Sequence, residues 1–302
     1  MAVRGDDASA PVLIWLHGGP GAAERPLFQL FNSSLERRFI VVYLDQRGTG
    51  RSFDPKADPR RLTITRHLAD LDIVIDHLRT EFKKQKVILI GHSWGSALGL
   101  LYAQAHPEKV AAFVGVGQET SELAREKSQY DFVKTEATRH GDSDALARLE
   151  KIGPPPFSAK RELAIQDLVD RYGGYFHNRP CFFWVVLRGI IGGYVTPWEL
   201  PRMIRGNEVS LKAMNAELLK LDLRTRVPKV DVPVIFMLGR YDRQVDSRLA
   251  AAYFKKLIAP AKRLMWFEKS AHNIPFEQPK TFNKAVPRLL EEVGAIPKEE
   301  NH

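Results

Sequence analysis

Ser93 is set in Gly91-His92-Ser93-Trp94-Gly95, a G-x-S-x-G pattern that follows an apolar run at 87–90 and precedes an apolar helical stretch from Trp94. The two glycines permit a sharp strand-to-helix turn, which would push the Ser93 hydroxyl into the open with a helix N-terminus behind it. A serine hydroxyl becomes a useful nucleophile only when a base takes its proton. Nine histidines compete for that task, and their positions sort them. His67 and His77 lie on the helix before the turn, and His106 ends a helix ahead of Pro107. His140 and His177 fall in a helical region, His17 in a glycine loop, His92 beside the serine and His302 in the tail. His272, in Ser270-Ala271-His272-Asn273 after the last apolar run, is the expected general base. A carboxylate must hold its imidazole in the correct tautomer. Asp242, in Gly239-Arg240-Tyr241-Asp242 after the run 234–238, is the expected partner, and the nearby Asp246 reads better as a helix start. Acyl transfer also needs N–H donors for a developing oxyanion. The loop His17-Gly18-Gly19-Pro20-Gly21 offers the amide of Gly19, with Gly18 as the alternative, to act beside that of Trp94. A phosphate-binding loop is the competing reading, but neither G-x-G-x-x-G nor a P-loop lysine is present.

These groups must be carried by elements that bring distant positions together. Short apolar, β-branched runs recur at 12–16, 39–44, 87–90, 110–116, 234–238 and 263–267, and read as buried strands. Helical patterns lie between them: Leu68, Leu71, Ile75, Leu78 and Phe82 follow three- and four-residue spacing, and 94–105 is a second apolar helix. Alternating strand and helix implies a mostly parallel sheet covered on both faces. The alternation stops after Val116 and resumes near Val232, an interval too long for a loop. Helices expected at 121–140, 142–152, 159–172 and 211–221 would make it an inserted cap. The expected organisation is therefore a core of residues 1–117 and 229–302 with a helical cap, or lid, at 118–228. The order Ser93, Asp242, His272 along the chain is that of an α/β-hydrolase core.

Three motifs give a closer resemblance. His17-Gly18-Gly19-Pro20-Gly21, Asp45-Gln46-Arg47-Gly48-Thr49-Gly50-Arg51-Ser52 and Ser93-Trp94-Gly95-Ser96 resemble the signatures of the proline iminopeptidase family of α/β-hydrolases, serine peptidases that release an N-terminal residue. The resemblance implies that Ser93, Asp242 and His272 are nucleophile, acid and base, and that the 45–52 turn is scaffold, with Arg47 and Asp45 able to pair beneath the site. Three features depart from the family. His92 stands where members usually carry glycine and esterases of the wider fold carry histidine. Only about ten residues precede the first run, so the N-terminal edge strands should be short or missing and leave backbone groups exposed. The family selects the substrate's free amine with cap glutamates, for which Glu199, Glu208 and Glu217 are the candidates here. Trp198 beside Glu199 could hold a cation or a proline ring. The aromatic segment with Tyr175, Phe176, Phe182, Phe183, Trp184 and Tyr194 reads as cap core, with Phe183 and Trp184 as candidate pocket residues. Gly173-Gly174 and Gly192-Gly193 are candidate lid hinges.

Composition narrows the class. The chain has 302 residues, 44% hydrophobic and 27% charged, as in ordinary soluble globular proteins. The net charge of +9 is scattered, so it reads as solvated surface, and neither a nucleic-acid nor a membrane partner is expected. A single cysteine, Cys181, rules out an intramolecular disulfide and a multi-cysteine zinc site. Met1 to Ala10 carries Arg4, Asp6 and Asp7 and no apolar core of a secretion signal, so a cytoplasmic location is expected. The expectation is a serine hydrolase without metal or cofactor, acting on a small peptide or ester; the sequence carries no signal for an oligomeric state. An aminopeptidase is the first reading and a carboxylesterase the alternative. Ser93 argues against epoxide hydrolases and dehalogenases, which need a carboxylate at that turn. A nucleotide-binding oxidoreductase would need a third glycine after Gly48-Thr49-Gly50, and a non-catalytic binding protein would be expected to lose part of the Ser93, Asp242, His272 set.

Overall fold

The computed structural model describes residues 1–177 and 182–298, with the side chains of 182–186 outside the description. Among these residues seven strands form one sheet: β1 (Ala2–Arg4), β2 (Val12–Leu16), β3 (Ile40–Leu44), β4 (Val87–His92), β5 (Val110–Val116), β6 (Val234–Gly239) and β7 (Lys262–Phe267), in the order β1-β3-β2-β4-β5-β6-β7. All neighbouring pairs are parallel except β1 with β3, where Ala2 lies opposite Tyr43. Strand β1 has too few residues to show an alternating pattern, and pairing with β3 makes it a strand. The expected short N-terminal edge is thus present.

Among the described residues twelve α-helices connect and cover the sheet: α1 (Arg25–Asn32), α2 (Ile64–Glu81), α3 (Trp94–Ala105), α4 (Glu122–His140), α5 (Ser143–Ile152), α6 (Ala159–Arg171), α7 (Phe182–Ile191), α8 (Glu199–Leu218), α9 (Leu223–Arg226), α10 (Ser247–Lys256), α11 (Ile274–Glu277) and α12 (Pro279–Glu292). Strand β2 shows how the two faces are divided. Val12, Ile14 and Leu16 join a core with Leu71 and Ile75 of α2, Leu98 and Leu101 of α3 and Tyr253 of α10. Leu13 and Trp15 join the opposite core, with Phe28 of α1 and Phe282, Val286 and Leu290 of α12. A two-residue repeat that is apolar on both faces is what a sheet buried on both sides requires.

Helices α4 to α9 all fall between β5 and β6. Val133, Leu149, Phe157, Ile165 and Leu168 give α4, α5 and α6 their own apolar cluster. Helix α8 begins earlier than its apolar spacing predicts and lies over the glycine loop, where Asn207 Nδ2 donates to the Pro20 carbonyl at 3.0 Å. Gly206 lets α8 also come close to the 45–52 turn, since a Cβ there would meet the Gly48 carbonyl oxygen at 2.6 Å. Gly173 and Gly193 have φ of 74° and 70° and follow the ends of α6 and α7, so their local work is to stop helices. Among the described residues no helix is long and apolar enough to cross a membrane.

Candidate active site

The carboxyl ends of β2, β4, β5, β6 and β7 converge where the chain, having laid β3 on one side of β2, places β4 on the other, the usual ligand position in an open α/β sheet. At the end of β4, Ser93 has φ 55° and ψ −123°, a strained conformation for a non-glycine residue. The flanking glycines serve close packing: a Cβ on Gly91 would meet the Gly95 carbonyl oxygen at 2.2 Å, and one on Gly95 the Leu16 carbonyl oxygen at 2.1 Å. Hydrogen bonds hold the turn, from Ser93 N to Val116 O at 3.0 Å and from Ser96 Oγ to Ser93 O.

His272 and Asp242 meet at this end of the sheet. The His272 Nδ1–H donates to Asp242 Oδ2 at 2.9 Å, and Asp242 Oδ1 accepts from the amides of Gln244 and Val245 at 2.9 and 3.1 Å. Both side chains are buried. The Nδ1–H bond leaves the Nε2 lone pair of a neutral ring available for a proton. Burial pushes the His272 pKa below the ordinary histidine value, against the opposing pull of Asp242, which keeps the ring neutral. Gly117 makes room, since a Cβ there would lie 2.9 Å from His272 Nδ1. Asp246 instead starts α10, accepting from Arg248 N at 3.1 Å and from Ser128 Oγ.

The glycine loop is fixed against the serine turn by Gln46, which the sequence did not single out. Its amide N–H donates to His17 Nε2 at 3.0 Å, its Nε2 donates to the His17 carbonyl at 2.8 Å, and its Oε1 accepts from Trp94 Nε1 at 3.1 Å. Gly19, at φ 113°, and Trp94 both line the cavity beside Ser93. Gly18 lines the adjoining cavity with His272, and a Cβ there would lie 3.0 Å from Glu24 Oε1 and 3.1 Å from Ser93 Cβ. The expected pairing of Arg47 with Asp45 does not form. Arg47 pairs with Asp70, its Nε at 2.7 Å from Oδ2, while Asp45 pairs with Arg25 at 3.2 Å. The turn at 45–52 brings Asp45 toward α1 and leaves Arg47 facing α2.

Two small adjoining lobes, of about 30 and 80 Å³, open on Ser93. His272, His92, Glu24 and Tyr175 line one, Trp94, Leu218, Leu221 and Val245 the other, and Gly19, Glu162 and Gln244 line both. The second lobe holds an acidic cluster. Arg125 pairs with Glu122, with Glu162 at 2.8 Å and with Glu119 at 3.4 Å, and all four side chains are at most 10% exposed. Three carboxylates compete for one guanidinium. Burial, opposed by Arg125 and reinforced by Glu122, pushes Glu119 up to about 8, and burial raises Glu162 as well. At neutral pH Glu119 is therefore mostly protonated. The serine turn is tied to this cluster, because Ser96 Oγ accepts from the Glu119 amide at 2.9 Å. Among the described residues no group of three or more His, Cys, Asp or Glu side chains could hold a metal ion.

The cap glutamates expected from sequence lie elsewhere. Glu199 is taken up by Arg25 at 2.7 Å, by Arg51 at 2.5 Å and by the Thr196 amide at 2.7 Å. Trp198 is 78% exposed, Glu208 is exposed, and Glu217 accepts from Ile64 N at the start of α2. None of them lines either lobe. Trp184 and Phe183 have side chains outside the described residues. Glu119 and Glu122 could have been suspected from Gln118-Glu119-Thr120-Ser121-Glu122, which directly follows a central strand, but Glu162 carries no comparable signal.

Comparison with known proteins bears on the family and the fold. Residues 11–139 match the family described as "alpha/beta hydrolase fold". A "Probable aminopeptidase YbaC" of Bacillus subtilis is 30% identical over 295 residues, covering 95% of this chain and 91% of that protein. Among solved structures, a proline iminopeptidase of Mycobacterium smegmatis superposes with a TM-score of 0.68 at 18% identity, over 96% of this chain and 93% of that one. An esterase of Exiguobacterium antarcticum gives 0.66 at 19% identity, over 96% and 94%. At such identities the two structures speak for the fold alone, and the fold serves both chemistries. By its matched segment, its full-length relative and its sheet, this chain belongs to the α/β-hydrolase family and resembles the proline iminopeptidases within it.

Proposed function

We propose that the protein is a serine hydrolase that removes an N-terminal residue from a small peptide through an acyl-enzyme on Ser93. His272 takes the Ser93 proton as Oγ attacks the carbonyl carbon, and Asp242 holds the imidazole and stabilises its charged form. The amides of Gly19 and Trp94 stabilise the oxyanion. Collapse of the tetrahedral intermediate breaks the C–N bond, and His272 returns the proton to the departing amine. The same ring then activates water against the acyl ester, and Ser93 regains its proton as the amino acid leaves.

The observation that carries the aminopeptidase reading is the acidic lobe beside Ser93. A free N-terminal ammonium group loses its hydration on entering such a lobe, and burial there is favourable only against an opposing charge. Glu122 and Glu162 share the single guanidinium of Arg125, and an entering ammonium group draws the neighbouring Glu119 into its ionised form to complete the balance. Similarity to an aminopeptidase over nearly the whole chain supports the same reading. An esterase for uncharged acyl groups has no use for buried carboxylates at this position.

The test compares kcat/KM for alanine and proline naphthylamides, their N-acetyl counterparts and short p-nitrophenyl esters. The free amines should exceed the N-acetyl forms by at least about a hundredfold, the range set by one buried charge left without its partner. Equal cleavage of free and acetylated substrates, with fast turnover of uncharged esters, would replace this reading with a carboxylesterase.

A further inference from the structure

Glu24 is a buried carboxylate with no evident local purpose. It occupies the N-cap position of α1, yet its side chain accepts no capping hydrogen bond. Its Oε2 is buried and has no hydrogen-bond partner among the described residues. Its Oε1 lies 2.7 Å from His92 Nδ1, and His92 Nε2 lies 3.1 Å from the backbone carbonyl oxygen of His272. A carbonyl only accepts, so Nε2 carries a hydrogen. A carboxylate oxygen at 2.7 Å from Nδ1 also requires a proton between the two atoms. Carboxyl and imidazole together therefore hold two protons in this geometry. Around them Trp15 of β2 lies parallel to His92 at 6.0 Å, Phe276 of α11 meets it edge-on at 6.3 Å, and the His272 ring lies 4.7 Å away.

We propose that Glu24 and His92 form a positioning pair that fixes the His272 loop through its carbonyl, and that the pair does so only while it keeps both protons. The inference rests on the reading of Ser93, His272 and Asp242 as the reacting set. Loss of one proton leaves a lone pair facing either the His272 carbonyl or the Glu24 carboxylate, and each arrangement is repulsive. The loop then loses its anchor on the side facing the serine turn. Its other anchors come from different sides: His272 N donates to the Tyr175 carbonyl at 3.1 Å, Ala271 N donates to Glu277 Oε1 at 3.0 Å, and the Ser270 carbonyl accepts from Tyr241 N at 3.0 Å.

The titratable neighbours do not take over this role. His17 faces the pair from the glycine loop, but its Nδ1–H donates to the Gly18 carbonyl and its Nε2 accepts from Gln46, which fixes it neutral. Tyr175 faces the pair from the cap and is pushed up to about 12 by burial, so it too stays neutral. Asp242 and His272 face it from the loops after β6 and β7 and are engaged with each other. Burial alone would lower the His92 pKa, but Glu24 and the His272 carbonyl outweigh it and hold it above the ordinary value. The pair therefore loses its proton on the alkaline side.

The experiment measures the rate at which a fluorophosphonate probe labels Ser93 from pH 5 to 10, with thermal unfolding at each pH. Wild type should speed up as His272 becomes neutral and slow down again at alkaline pH. In Glu24→Gln an amide N–H replaces the shared proton, His92 keeps Nε2–H without titrating, and the alkaline fall should move up by about one pH unit or more. Glu24→Ala and His92→Phe, which lack that anchor, should label roughly tenfold more slowly at neutral pH, about the effect of one lost hydrogen bond. Identical pH profiles for wild type and Glu24→Gln would overturn the proposal, and so would wild-type rates in both Glu24→Ala and His92→Phe. If Glu24→Ala does not fold, the Glu24→Gln profile decides. Wild type that never labels at Ser93 would overturn the parent reading and this inference with it.

Discussion

Glu162 is the most informative residue to change, because it lines both lobes beside Ser93 and does not contact His272 or Asp242 directly. Its Oε1 lies 2.8 Å from Arg125, so Glu162→Gln keeps the shape and one hydrogen-bonding oxygen while removing the charge. A substrate ammonium about 5 Å from that carboxylate interacts with it by about 3 kcal/mol at an effective dielectric constant of about 20. Glu119 compensates in part, since the Glu162 charge helps to raise its pKa and removing it lets Glu119 ionise more readily. A net loss of about 2 kcal/mol, or roughly thirtyfold in kcat/KM, is expected for a free-amine naphthylamide. The N-acetyl counterpart has no charge to lose and should change by less than about threefold. Steady-state kinetics of both substrates in both proteins gives the result directly. Equal losses for the two would mean that Glu162 supports the fold and that the lobe does not recognise an amine.

Asp242→Asn should lower turnover by about a thousandfold or more, because the amide favours the wrong His272 tautomer, whereas Asp246→Asn should cost mainly stability; kcat values and thermal unfolding separate them. His272 must be neutral to act and its pKa lies below the ordinary value, so kcat/KM should rise with pH along an acid limb centred below 6.5; a limb above 7 would contradict this. Glu119 is raised in the folded chain, so its contribution to stability is complete below about 4.5 and is lost as pH rises through about 8. Glu119→Gln should therefore raise the melting temperature relative to wild type near pH 8 and lose that advantage below pH 4.5. Glu199→Gln should weaken folding by about 1 to 3 kcal/mol, measured in urea, and leave the preference for a free amine intact, since Glu199 serves Arg25 and Arg51.

What the sequence disclosed follows from where chemistry and local pattern coincide. Ser93, Asp242 and His272 each follow an apolar strand and stand in short polar turns, so strand order alone was enough to bring them to one end of the sheet. Strand β1 was hidden because three residues carry no periodicity, and only pairing with β3 defines it. The acidic lobe was hidden for a different reason. Glu122 and Glu162 look like ordinary first-turn helix residues, and their meeting at Arg125 depends on how α4 and α6 pack against each other. Glu199 misled in the opposite direction: beside Trp198 it looks like a ligand for a cation, but Arg25 and Arg51, 174 and 148 residues away, already neutralise it. A carboxylate's partner cannot be read from its neighbours in the chain. Arg47 and Asp45 make the same point at two residues' separation, since each turns to a different helix.

The central claim is that Ser93 carries the acyl group, and intact-protein mass spectrometry during turnover tests it most directly. Alanine naphthylamide mixed with enzyme and quenched in acid within the first turnovers should leave an alanyl adduct that peptide mapping places on Ser93. Ser93→Ala should show no adduct and a turnover lower by several orders of magnitude. Undiminished hydrolysis by Ser93→Ala, or an adduct on another residue, would contradict the account.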